Sequence, residues 1–85
     1  MNRLDLFEEA LAEVENLRVE YPEVNTLYSI IRQLDYLIEL ETGQLSDRSR
    51  LKEIVLGVQA AREIEPLSTD VAELLYAVSE QAQQM

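Results

Sequence analysis

Apolar residues return at three- and four-residue steps along most of this chain, the spacing that puts them on one face of an α-helix. The first such stretch predicts a helix from about Leu4 to Glu20, with Leu4, Phe7, Leu11 and Val14 as its stripe and Ala10 and Leu17 beside it. Tyr21-Pro22 ends it, because proline disfavours helix at the residue before it, whereas Pro22 itself suits the first turn of a following helix. That second helix, about Glu23 to Glu41, is the most apolar. Val24, Leu27, Ile31, Leu34 and Ile38 form a stripe widened by Tyr28, Ile30 and Leu37, as in an element packed by several neighbours, and this marks it as central. Gly43 follows where a left-handed, helix-ending residue is wanted.

A third helix is expected after Ser46 or Asp47, either of which can cap its free amides, and it continues to about Ile64 before Pro66. On a helical wheel Leu51, Ile54, Val55 and Val58 face the core, while Leu56, Gly57, Ala60 and Ile64 lie around the other side. The fourth helix starts at Thr69 or Asp70, with Asp70 and Glu73 at capping-box spacing, and buries Val71, Leu74, Leu75 and Val78. The closing "SEQAQQM" is expected to fray, over about residues 80–85. Connections this short make consecutive helices antiparallel. The expectation is therefore one all-α domain over residues 1–85, a small antiparallel four-helix bundle.

Composition narrows what such a bundle does. Of 85 residues 47% are apolar and only two each are glycine and proline, too apolar for a disordered tail and too poor in turns for a many-stranded sheet. There is no cysteine and no histidine, so thiolate metal sites, disulfides and Ser-His or Cys-His nucleophiles are all excluded. No carboxylate pattern resembles a metal loop and no cofactor motif occurs, which argues against an enzyme. The start "MNRLDLFEEALAEVE" lacks a signal-peptide pattern and no apolar run approaches the ~18 residues of a membrane span, so a cytosolic location is expected. A net charge of −10 argues against nucleic acid or an anionic membrane as partner and favours a basic one.

Three faces carry candidate contacts. On the first helix Asp5, Glu8, Glu9, Glu13 and Glu15 point away from the stripe, and only Glu15 has a basic residue one turn on, Arg18. They form either a solvated face or a docking surface for a cationic cleft. On the second helix Asn25, Ser29, Arg32, Tyr36 and Glu39 project together, opposite Leu27 and Leu34. Tyr36 in the middle of that polar face is either covered by a neighbouring helix or a contact residue, a role in which tyrosine and arginine are enriched. In the third, Gly57 and Ala61 make a small-xxx-small pair, for close packing within the bundle or for a partner's groove. Arg48, Arg50 and Lys52 stand at the cation-unfavourable end of that expected helix, and either answer Glu39, Glu41 or the acids of helix one, or meet acids of a partner.

Taken in order, these pieces resemble a family of small immunity proteins that protect bacteria from type VI secretion effectors with NAD(P)+ glycohydrolase toxin domains. The resemblance rests on the acidic first helix ending in Tyr21-Pro22, on "LYSIIRQLDYL" at 27–37, on "LSDRSRLKEIVLG" at 45–57, and on an acidic, threonine-containing turn before the last helix; it spans about Leu4 to Tyr76. It implies a bundle that binds its cognate toxin domain and occludes the NAD(P)+ pocket, an inhibitor in interbacterial competition that needs no chemistry of its own. A pyrophosphate cofactor pocket carries positive potential, into which an acidic protein is steered. The contact residues expected are Ser29, Arg32, Tyr36 and Glu39 on helix two, then Asp5, Glu9 and Glu13 on helix one. A structural homodimer or adaptor bundle that pairs through Gly57 is the competing reading, and a carboxylate-dependent enzyme is the third.

Overall fold

The computed structural model describes residues 2–85. Among them are four helical segments and no strand: α1 (Arg3–Glu20), α2 (Asn25–Thr42), the short α3 (Leu56–Gln59), which widens into a π-helical turn over Ala60–Ile64, and α4 (Thr69–Gln83), with a 3-10 turn at Leu51–Glu53. The all-α bundle is as the apolar spacing implies. Its two long helices start and stop where local chemistry dictates. The Asn2 side chain accepts a hydrogen bond from the Asp5 amide and caps α1. Gly43, at φ +82, closes α2 in the left-handed region, with open space where a side chain would go, so backbone conformation and not crowding requires glycine there. Pro22 lies in the turn ahead of α2 instead of in its first turn. Ser68, one residue ahead of the expected caps, accepts from the Val71 amide to start α4.

Contacts at the helix ends fix the directions. Arg3 at the head of α1 meets Glu41 at the foot of α2 (3.4 Å) and Gln81 at the foot of α4 (3.1 Å), so α1 runs antiparallel to both. At the other end of the α1–α2 pair the Arg18 guanidinium lies 5.9 Å from the Tyr28 ring centre. Phe7, Ala10 and Val14 of α1, Leu27, Ile30, Leu34 and Leu37 of α2, and Ala72, Leu75 and Val78 of α4 are all fully buried in one core. The central position belongs to α1, which packs along both α2 and α4, and not to α2 as the breadth of its apolar surface suggests. That breadth is covered on its other side by the segment after Gly43.

This segment is where the expected third helix fails. Residues 45–48 carry no helix, Leu51–Glu53 form a single 3-10 turn, and the backbone is extended at Ile54 before α3 begins at Leu56. The interruption resets the register. Leu56, Ala60 and Ile64 are fully buried, whereas Val55 and Val58 are 46% and 56% exposed, against the faces expected from one continuous helix; Leu51 and Ile54 do pack against the core. Gly57 does admit a close neighbour: a Cβ there would lie 3.2 Å from Ser79 Oγ of α4, so the close approach is intramolecular. The wider π turn, in which the Glu65 amide bonds the Ala60 carbonyl five residues back, ends where Tyr76 of α4 donates to the Glu65 carboxylate. The C-terminal stretch is helical to Gln83, with Ala82 buried.

Candidate docking surface

The outer side of α2 and the segment 50–55 enclose an open recess of about 400 Å³, lined by Ser29, Arg32, Gln33 and Tyr36 from the helix and by Arg50, Glu53, Ile54 and Val55 from the segment. Three of the four contact residues expected on α2 are thus brought together. The fourth, Glu39, is exposed but lies outside the lining.

Tyr36 is not the free aromatic its wheel position suggests. It is 3% exposed, its hydroxyl donates to the Asp47 carbonyl (2.8 Å), and the Arg50 guanidinium covers its ring at 4.4 Å from the centre. A polar-face tyrosine becomes a core residue because the non-helical segment folds back over it and supplies both an acceptor and a cation for the π face. The Asp47 carboxylate in turn accepts from the Ser49 amide (2.9 Å), a local turn that aims Arg50 at the ring. That hydrogen bond, followed by the Ser49 hydroxyl and the charge of Arg50, holds the Asp47 carboxyl below its usual range.

Gln33 and Gln59 are the residues the sequence reading overlooked. The Gln33 carbonyl oxygen accepts from the Val55 amide (2.8 Å), and its amide nitrogen donates to Gln59 Oε1 (2.7 Å) and Ser29 Oγ (3.2 Å). Gln59 Nε2 donates to the same serine oxygen at 3.1 Å. One glutamine therefore ties the non-helical stretch ahead of α3 to α2. The only sequence signal was a glutamine one turn from Ser29 on an otherwise polar face, which has no periodicity to mark it.

Charge is distributed unevenly around the recess. The basic trio does not answer the acids at the foot of α2: among the described residues the ion pairs are Arg3–Glu41 and Arg18–Glu15, and Arg48 instead donates to the Met85 carbonyl (3.1 Å). Arg32 has no hydrogen-bond or ion-pair partner among the described residues, and Arg50 has only the Tyr36 ring. Asp35 and Glu39 follow on α2 outside the lining, with Glu15 of α1 near enough to act on Asp35. Partial burial first, then the charges of Glu39 and Glu15, push the Asp35 carboxyl above its usual range. On α1, Asp5, Glu8, Glu9 and Glu13 are exposed and unpaired among the described residues. Neither surface gathers three residues able to hold a metal ion among those described. With the Tyr36 hydroxyl and the Ser29 oxygen already engaged, the arrangement is fitted for holding a charged group.

No helix among the described residues is long and apolar enough to cross a membrane. Comparison with curated proteins and with solved structures returns no match. The family model for Tsi6, in contrast, matches residues 2–84. The chain belongs to the Tsi6 family of type VI secretion immunity proteins, which guard against NAD(P)+ glycohydrolase effectors.

Proposed function

We propose that this chain acts in the cytosol as a stoichiometric inhibitor, binding a cognate NAD(P)+ glycohydrolase toxin domain and occluding its active site. The observation that carries the reading is the exposed acidic face of α1, where Asp5, Glu8, Glu9 and Glu13 lack basic partners among the described residues in a chain of net charge −10. Four neighbouring carboxylates left without countercharge cost a little stability at helical spacing, and a basic, cofactor-binding cleft offsets that cost on binding. Complementary charge also speeds encounter and fixes orientation, which suits an inhibitor that must outpace a toxin.

The contact surface in this reading comprises Asp5, Glu9 and Glu13 of α1 with Ser29, Arg32 and Glu39 of α2, while Tyr36 acts by holding the wall of the recess. Self-association through Gly57 has less support, because Ser79 of the same chain occupies the space over that glycine. The test is co-expression with the toxin domain encoded beside the gene. The expected result is growth of the host and recovery of both proteins as one complex; toxicity undiminished and no co-purification would overturn the reading.

A further inference from the structure

The recess on α2 has the opposite character to the rest of the surface. Two arginines line it against one glutamate, in a chain with seventeen acidic residues and seven basic ones. Neither guanidinium is committed to an internal carboxylate among the described residues. Arg50 lies over the Tyr36 ring at 4.4 Å and its N–H groups make no hydrogen bond among the described residues, which leaves them available to a carboxylate, the group arginine receives through two parallel hydrogen bonds. The wall that carries it is pinned to α2 at both ends, by Tyr36 to the Asp47 carbonyl and by Gln33 to the Val55 amide. A side chain fixed before binding loses less freedom on complex formation.

We infer that this recess seats a carboxylate side chain, an aspartate or glutamate on the surface of the partner toxin domain, held by Arg32 and Arg50. This rests on the inhibitor reading above and adds to it a second contact of reversed polarity. A singly charged carboxylate fits better than a phosphate group, because Glu53 in the lining, and Asp35 one helical turn from Arg32 outside it, repel a dianion more strongly. The acidic ridge beside a cationic recess gives α2 a surface with both signs, which sets the register of docking: a partner aligned with its acid in the recess places basic groups against Asp35 and Glu39.

The experiment is titration of the toxin domain with the wild-type chain and with Arg32→Glu, alongside urea unfolding of both. Arg32 makes no internal bond among the described residues, so unfolding is expected to change little while affinity falls by at least about tenfold. Replacing the contacting acid of the toxin domain by lysine is expected to restore binding to Arg32→Glu. Arg32→Gln, which adds no acid beside Asp35, keeps the test open if the reversal disturbs folding. Wild type that binds while Arg32→Glu binds equally well overturns this inference alone; wild type that does not bind overturns the inhibitor reading as well. Loss of affinity that no acid-to-lysine replacement on the toxin domain rescues, or a dimer of this chain that Arg32→Glu dissociates, also overturns it.

Discussion

The α1–α2 hairpin and the segment from Gln44 to Ile64 lie against each other yet are stabilised by different means. The hairpin is joined by the packing of Phe7, Val14, Leu27, Leu34 and their neighbours, all fully buried, with ion pairs only at its margins. The segment contributes Leu56, Ala60 and Ile64 to the same core, but its path over α2 is set by polar side chains: Tyr36 and Gln33 reach its backbone at Asp47 and Val55, and Ser29 meets the Gln59 side chain. Removing apolar surface from water requires only that side chains share a face, so many sequences achieve it. Hydrogen bonds to a particular carbonyl or amide require one geometry. The recess lined by Arg32 and Arg50 is formed where these two kinds of structure meet.

Substitutions should separate the two. Leu34→Ala empties fully buried volume in the hairpin and is expected to cost about 3 kcal/mol, a large share of the stability of so small a chain, read as a fall in the urea midpoint with loss of the whole helical signal. Gln33→Ala should cost about 1 kcal/mol, and selectively: hydrogen exchange at the Val55 amide accelerates while amides of α1 keep their protection. Equal acceleration in both regions would mean that the segment and the hairpin unfold as one unit.

The smallest effect lies on the acidic ridge. The Asp35 carboxyl is pushed above its ordinary value, so folding favours its protonated form, and its contribution to stability is present at low pH and lost as pH rises through the raised value. Asp35→Asn should therefore stabilise the chain at pH 7, by about 0.3 kcal/mol once solvent screening is allowed for, and the gain should shrink as pH falls toward the usual carboxylate range. Urea midpoints at pH 7 and pH 4.5 check the sign.

The same contrast explains what could be read from the sequence. The hairpin was legible because Phe7, Ala10, Val14 and Leu17 recur at helical spacing and Gly43 closes α2 with its own backbone preference. The third helix was misplaced because "LSDRSRLKEIV" has acceptable helical spacing, while its actual path depends on Tyr36 and Gln33, more than ten residues earlier. Once the chain is extended at Ile54, Leu56 takes the inward place that continuous helix would give to Val55. The α2 wheel puts Ser29, Arg32 and Tyr36 on one side with Asn25 and Glu39, but it cannot show that Tyr36 is buried or that Glu39 lies outside the recess. For Arg50 the sequence offers acids of α2, of α1 or of a partner but not the Tyr36 ring, because a wheel cannot show a loop returning over an aromatic side chain.

The central claim is that this chain silences a toxin by binding it one to one. The most direct measurement is NAD(P)+ hydrolysis by the cognate toxin domain as the chain is added at a toxin concentration well above the dissociation constant. Activity that falls linearly and reaches zero at one equivalent is the predicted result; activity unchanged at several equivalents contradicts it.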